Sequence, residues 1–157
     1  MLLLTGEYRH VVDDKGRVLI SNRLRGQIDT EEHGSSFYLI LGVNSILCLY
    51  PEKYFERIAS ALAPSVTAPD EVVAFERLSH ALTCKVELDA QGRLLLNDQL
   101  RQRAGLKDHI TLVGVRDHIE LWNDESWERY LAENMAQYQR QMSEARRAVL
   151  QSQSEPA

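Results

Sequence analysis

The chain has 157 residues, of which 44% are hydrophobic, so it is long enough to bury an apolar core in one or two small domains. Its formal net charge of −5 excludes a free polycation that coats nucleic acid, but it leaves room for a local basic patch. The two cysteines lack Cys-x-x-Cys spacing and the five histidines share no ligand spacing, so we expect no disulfide, no metal and no cofactor.

The N-terminus and the apolar runs indicate where in the cell the protein resides. Met1 to Leu4 are apolar, but they lack the basic segment and the length of a signal peptide. No apolar run reaches the roughly 18 residues that a membrane-spanning helix needs. We therefore expect a soluble, cytoplasmic protein with no membrane partner.

One sequence motif occurs twice in the chain. Asp-x-x-Gly-Arg, three aliphatic residues and then Leu-Arg appear at residues 13–25 and again at residues 89–101. Three further blocks match in the same order: 39–43 with 111–115, 47–50 with 119–122, and 55–57 with 127–129. This self-similarity predicts an internal duplication with paired arginines in two half-molecules. Such a pseudo-twofold unit suits a repeated or symmetric partner such as duplex DNA.

Each copy is predicted to contain two hairpins, each followed by a helix. In the first copy we expect strands at 8–12, 18–20, 38–41 and 46–50, a short helix at 23–28 and a closing helix from residue 51. In the second copy we expect strands at 110–113 and 118–122, a short helix at 99–104 and a closing helix from residue 124. Ser21-Asn22 and Asn97-Asp98 stand where helix N-caps belong.

The remaining segments are a linker and a C-terminal region. A breaker-rich loop at 63–70 leads into an amphipathic helix at 72–82. After Trp127 the pattern predicts helix to about Leu150, followed by a disordered tail at 151–157. The apolar residues of this helix form a weak heptad seam, which leaves two alternatives: packing against its own barrel or self-association.

The short strands cannot bury their faces alone, so we expect the two copies to interleave into one small barrel. The predicted fold class is mainly β with short helices: a duplicated swapped-hairpin barrel that forms an intrachain pseudo-dimer, with a C-terminal helix. The expected divisions are residues 6–58 for the first repeat, 59–81 for the linker and connecting helix, 82–131 for the second repeat, and 132–157 for the C-terminal helix and tail.

Several segments together resemble the MraZ family. They are Gly6-Glu7-Tyr8, Asp13-x-Lys15-Gly16-Arg17, Leu49-Tyr50-Pro51, Asp89-x-Gln91-Gly92-Arg93, Leu112-Val113-Gly114-Val115 and Ile119-Glu120-Leu121-Trp122. The family comprises bacterial transcriptional regulators of the division and cell-wall gene cluster, related to the AbrB and SpoVT swapped-hairpin domains. The resemblance implies two AbrB-like folds in one chain, a ring-shaped homo-oligomer, and binding to short repeats in promoter DNA.

The resemblance also implies the site and two departures from the family pattern. The family's DNA-contacting Asp-x-x-x-Arg corresponds to Asp13 with Arg17 and to Asp89 with Arg93. The family has Ile-Pro after the motif, where this chain carries Ser21 and Asn97, although both can still cap a helix. The N-terminal segment is also longer and more apolar than is usual in the family, and a subunit interface would accommodate it.

The chemistry of the motif supports the same partner. Arginine carries a planar fork of donors that matches a phosphate, or O6 and N7 of guanine. Lys15 adds a point charge for phosphate, whereas Gln91 offers amide hydrogen bonds to a base edge. The proposed DNA-binding residues are therefore Arg17, Arg93, Lys15, Gln91, Arg9 and Lys85, with Asp13, Gly16, Asp89 and Gly92 supporting them. An alternative stays open, in which the Asp–Arg pairs simply hold the turns.

Charge is distributed unevenly along the chain. Residues 6–26 carry five basic and three acidic side chains, a net of +2, and residues 84–104 carry four and three, a net of +1. These small excesses predict weak binding by one protomer, so useful affinity requires several protomers on tandem sites.

Catalytic motifs are missing from the sequence. It contains no Gly-x-Ser-x-Gly elbow, no phosphate-binding Gly-Lys-Ser loop and no His-Glu-x-x-His. We therefore expect a DNA-binding regulator associated with the nucleoid, and neither an enzyme nor a small-molecule binder. The alternatives are a ring-forming assembly module without specific DNA binding and an antitoxin-like module, although the fused double copy argues against the latter.

Overall fold

A computed structural model describes residues 1–62 and 68–154, in two compact units, Met1–Asp124 and Glu125–Ala157. The strands of the first unit are β1 Glu7–Val11, β2 Arg17–Leu19, β3 Ser36–Leu41, β4 Leu47–Pro51, β5 Cys84–Glu87, β6 Arg93–Leu95, β7 His109–Val115 and β8 His118–Asn123. The helices are α1 Asn22–Arg25, α2 Thr30–His33, α3 Glu52–Ala61, α4 Asp70–Ala81, α5 Asp98–Ala104 and α6 Asp124–Ser154.

Six strands form one antiparallel sheet in the order β1-β7-β8-β4-β3-β5. The strand that opens each copy pairs with the other copy: β1 lies beside β7, and β5 lies beside β3. The two copies also meet in the middle of the sheet, where β4 pairs with β8. The predicted interleaving of the two copies is therefore confirmed, and all the strands of both copies belong to one compact unit.

The two motif strands form a separate two-stranded ladder, in which β2 pairs with β6. Val18 lies opposite Leu94 at its centre. Two bonds related by the pseudo-twofold axis extend the ladder, from Ile20 N to Gly92 O at 3.0 Å and from Leu96 N to Gly16 O at 2.9 Å. The duplication in the sequence thus appears in the structure as a local twofold relation centred on the Val18–Leu94 pair.

Both sheets contribute to one apolar core. Because side chains alternate across a strand, the middle residue of each motif strand points inward, and both Val18 and Leu94 are fully buried. The six-stranded sheet adds Leu39, Leu49 and Leu112 to the same cluster. The helices that follow the motifs close it with Leu24 and Leu100.

The short helices begin as the capping residues predict. Ser21 Oγ accepts from Arg23 N at 3.2 Å, and Asn97 Oδ1 accepts from Gln99 N at 2.8 Å. These two side chains therefore cap the helix starts, as the sequence predicted. α5 ends at Ala104 and is capped by Gly105, whose φ of 62° is left-handed.

The structure corrects several predicted boundaries. The first short helix ends at Arg25 rather than at residue 28, and an additional turn of helix, α2, follows the side-chain cap of Asp29. The prediction of disorder was wrong for residues 151–154, which continue α6 with serine hydroxyls bonded to carbonyls of the preceding turn. Residues 63–67 of the expected loop and 155–157 of the expected tail lie outside the described residues.

Within residues 1–62 and 68–154, no helix combines the length and the apolar character that a membrane crossing requires.

The ladder provides a matched test of the core. Leu94 is fully buried, whereas its neighbour Leu95 is 62% exposed. We expect Leu94→Ala to lower the free energy of unfolding by about 2–5 kcal/mol, because it leaves a cavity in the core. We expect Leu95→Ala to change it by less than about 0.5 kcal/mol. Urea denaturation followed by circular dichroism measures both, and equal losses would contradict the assigned register.

Candidate nucleic-acid interface

The first motif forms a tight turn around the carboxylate of Asp13. Its Oδ1 accepts from Lys15 N at 3.0 Å and from Arg17 N at 2.8 Å. Gly16 follows with a φ of 79°, a left-handed conformation that glycine adopts most readily. The other oxygen, Oδ2, accepts from Arg17 Nε at 2.8 Å. One side chain therefore holds both the turn and the arginine.

The second motif repeats this geometry. Asp89 Oδ1 accepts from Gln91 N and Arg93 N, both at 2.9 Å, and Asp89 Oδ2 accepts from Arg93 Nε at 2.7 Å. Each of these bonds matches its counterpart in the first turn to within 0.1 Å. Gly92 has a φ of 82°. The two turns are thus equivalent parts of a pseudo-symmetric site.

The two arginines are held by only one edge of the guanidinium group. Nε bonds the aspartate, and no other hydrogen bond or ion pair reaches the guanidinium group of Arg17 or Arg93 within residues 1–62 and 68–154. The side chains are 29% and 30% exposed. Their terminal NH₂ groups are therefore oriented and still available to an external acceptor. The predicted ion pairs with Asp13 and Asp89 exist, and they leave the fork of each arginine available.

The arginines share a face of the β2–β6 ladder with two leucines. Arg17 lies opposite Leu95, and Arg93 lies opposite Leu19. Residues that are directly opposite lie on the same side of a sheet, here the side away from Val18 and Leu94. Leu19 is 39% exposed and Leu95 is 62% exposed. The outer face of the ladder is thus a small diagonal pattern of two cations and two apolar side chains.

The other predicted binding residues lie in different environments. Lys15 and Gln91 are exposed at equivalent positions of the two turns. Arg9 is exposed in β1, opposite Thr111. Lys85 in β5 forms an ion pair with Glu52 of α3 at 2.7 Å. The hydrogen bond with Glu52 raises the pKa of Lys85, so the ammonium group stays charged, and the carboxylate of Glu52 offsets part of that charge.

Arg25 lies in a different environment from its counterpart in the second copy, Arg101, and the sequence did not predict this difference. Its guanidinium lies against the second motif turn, where a Cβ at Gly92 would collide with it. Arg25 Nε donates to Ile20 O at 2.9 Å. Its counterpart Arg101 instead bonds Asp108 at 2.6 Å. The Leu-Arg dipeptides of the two copies look alike in the sequence, so no local signal separated their roles.

Electrostatics favours the charged state of both aspartates. Backbone hydrogen bonds, first those from Arg17 and Arg93, together with their guanidinium groups, lower the pKa of Asp13 and of Asp89 despite partial desolvation. Since the pKa in the folded state lies below that in the unfolded state, the stabilisation is present above the unfolded value and is lost as pH falls through the folded value. The turns are therefore intact at neutral pH.

A carboxyl titration tests this geometry. By NMR, we expect Asp13 and Asp89 to titrate below the ordinary value of 3.8. Arg17→Gln should raise the pKa of Asp13 towards 3.8, because it removes the guanidinium donor and its positive charge, and should leave Asp89 unchanged. Titration of the wild-type carboxylates at or above 3.8 would refute the shared-carboxylate turn.

The chain is similar to one protein family and to several of its named members. The family model of the MraZ protein, whose description includes the term "antitoxin-like", matches residues 3–75 and again residues 79–151. Two relatives are named "Transcriptional regulator MraZ". The one from Caldicellulosiruptor saccharolyticus is 36% identical over 83% of this chain and 88% of its own length. The one from Moorella thermoacetica is 34% identical over 87% of this chain and 92% of its own length.

Two successive matches to one family model agree with the doubled fold and the doubled turn described above. The similarity to the two relatives extends over most of the chain, and the two ranges matched by the family model include both motif turns. The chain therefore belongs to the MraZ family of transcriptional regulators.

Proposed function

We propose that the chain is a sequence-specific DNA-binding regulator that contacts promoter DNA through the outer face of the β2–β6 ladder and its two turns. The observation that carries the proposal is the pair of guanidinium groups, each fixed through Nε with its terminal NH₂ groups available. Fixing the side chain in advance reduces the entropy lost on binding. The terminal fork then matches a phosphate, or O6 and N7 of guanine.

The dimensions of the ladder suit the major groove. That groove is about 12 Å wide and admits a two-stranded β-ribbon. Arg17 and Arg93 are diagonal neighbours on the ribbon, a relation that separates side chains by about 7–8 Å. Base pairs rise by about 3.4 Å, so the two arginines reach positions about two steps apart. Leu19 and Leu95 occupy the other diagonal of the same face. Their apolar side chains suit contact with thymine methyl groups.

The surrounding side chains have supporting roles in this proposal. Lys15 contacts phosphate at the first turn, and Gln91 contacts a base edge at the second. Arg25 adds a cation beside the second turn. Arg9 stays a predicted phosphate contact. The same prediction for Lys85 has less support, because DNA would have to compete with Glu52 for it.

The proposal includes assembly and cellular setting. One protomer offers two arginines and a small local charge excess, so we propose a ring-shaped homo-oligomer that engages tandem promoter repeats together. Along α6, Met135, Tyr138 and Met142 are exposed, and this apolar stripe supports self-association. The proposed target is the promoter of a bacterial division and cell-wall gene cluster, reached in the cytoplasm at the nucleoid.

The arginines provide the first test. We expect Arg17→Ala and Arg93→Ala each to abolish the gel shift of a DNA fragment from upstream of the protein's own gene. Each substitution removes about 1–3 kcal/mol of binding free energy per engaged protomer. The control is Arg140→Ala, at an arginine of α6 whose side chain is 71% exposed. Size-exclusion chromatography should show an unchanged oligomer for all three variants. Unchanged gel shifts for both turn variants would reject the proposed interface.

The inequivalent turn positions provide the second test. Binding through phosphates must weaken as salt rises. We expect Lys15→Gln to reduce the slope of log affinity against log salt by about 0.9 per engaged protomer, and Gln91→Lys to increase it by a similar amount. Fluorescence anisotropy at several salt concentrations measures both slopes. Salt-insensitive binding, or none, would favour the alternative of an assembly module without specific DNA binding.

A further inference from the structure

We infer that Cys48, His118 and Glu120 form a binding site for a single thiophilic divalent metal ion of the Zn²⁺ class, which joins the two repeats. The site is separate from the β2–β6 ladder and does not depend on the proposed DNA binding. Cys48 lies in β4 of the first copy, whereas His118 and Glu120 lie in β8 of the second.

The register of the sheet brings these ligands together. Cys48 lies directly opposite Glu120 in the β4–β8 ladder, and His118 precedes Glu120 by two residues on the same face. One ligand atom from each residue lies within 4.8 Å of the other two. Ligands around a tetrahedral Zn²⁺ ion are about 3.3–3.8 Å apart, so small side-chain movements are sufficient to close the site.

The histidine is oriented as a metal ligand should be. His118 Nδ1 donates to Asp117 Oδ1 at 2.7 Å, and Tyr54 OH donates to Asp117 Oδ2 at 2.7 Å. This leaves Nε2 directed at Glu120 Oε2, at 3.2 Å. A histidine that bonds a carboxylate through one nitrogen and faces other ligands with the second has the arrangement common at zinc sites. Tyr50 stacks on the imidazole with ring centroids 4.8 Å apart and fixes its plane.

The carboxylate and the thiol are also positioned. Trp122 Nε1 donates to Glu120 Oε1 at 3.0 Å, so that oxygen is occupied and Oε2 is the one that faces His118. Cys48 is buried, with 6% exposure, and its thiol donates to Ile46 O at 3.6 Å. All three ligands thus have a partner within the chain, and the thiol is sheltered from water.

The chemistry of the cluster selects the class of ion. A thiolate and an imidazole favour Zn²⁺, Co²⁺ or Cu²⁺ over Mg²⁺ and Ca²⁺, which prefer oxygen ligands. Three protein ligands leave a fourth position for water.

The proposed metal site lies where the two copies of the repeat meet. Cys48 and Glu120 are equivalent residues of the two copies, so their pairing lies on the pseudo-twofold axis, as the Val18–Leu94 pairing does. A metal ion there would cross-link β4 to β8 across that axis. Since the ion binds the folded chain, it stabilises the interleaved fold by mass action.

Cobalt is the probe for this site, because its complexes with thiolate absorb light. Tag-free, full-length protein is stripped with a chelator and titrated with Co²⁺. We expect one Co²⁺ per chain, with a thiolate-to-cobalt band in the near ultraviolet and tetrahedral bands in the visible. Added Zn²⁺ should bleach these bands and raise the midpoint of thermal unfolding.

Variants separate this site from adventitious binding. Cys48→Ser should abolish the thiolate band, whereas the matched control Cys84→Ser should keep it. Glu120→Gln retains an acceptor for Trp122 and should weaken Co²⁺ binding at least about tenfold, and it decides the case if Cys48→Ser does not fold. Absence of a saturable thiolate band, or a band that persists in Cys48→Ser or is lost in Cys84→Ser, would overturn the inference.

Discussion

The proposed interface depends on one carboxylate that serves two tasks. In each motif, Oδ1 of the aspartate holds two backbone amides of the turn, and Oδ2 holds the arginine Nε. The turn and the direction of the guanidinium are therefore coupled, and a residue that supplies only one of these bonds cannot replace aspartate. Asparagine has one acceptor oxygen where aspartate has two. This explains why the Asp-x-x-Gly-Arg spacing recurs as a unit: the turn needs the glycine, and the arginine needs the turn.

The pseudo-twofold axis organises the rest of the first unit. It passes between Val18 and Leu94 in the small ladder and between Cys48 and Glu120 in the large sheet. The first pair is apolar and buried, so it stabilises the core while the neighbouring arginines face outward. The second pair is polar, and His118 has no polar counterpart, because Ile46 occupies the matching position in the first copy. The duplicated halves have thus kept a common frame and acquired different local chemistry.

The sequence predicted the features that depend on local or repeated patterns. The doubled motif predicted the turns and the interleaving, and the polar residues Ser21 and Asn97 predicted the helix caps, which the structure confirms. The sequence did not predict the features that depend on contacts between distant parts of the chain. The ion pair of Lys85 with Glu52, the packing of Arg25 on Gly92 and the cluster around His118 all join residues that are distant in the chain. α2 was missed because its four residues carry no apolar period, only the Asp29 cap.

Base reading in the major groove by the two turn arginines is the central proposal. Its most direct test starts from a site selected from random DNA, in which each guanine is replaced in turn by 7-deazaguanine, which lacks the N7 acceptor. We expect binding to weaken at guanines about two base-pair steps apart, and this sensitivity to vanish in the Arg17→Ala Arg93→Ala protein when its residual binding is measured at low salt. Binding that no guanine replacement weakens, or a sensitivity that persists without both arginines, would contradict the account.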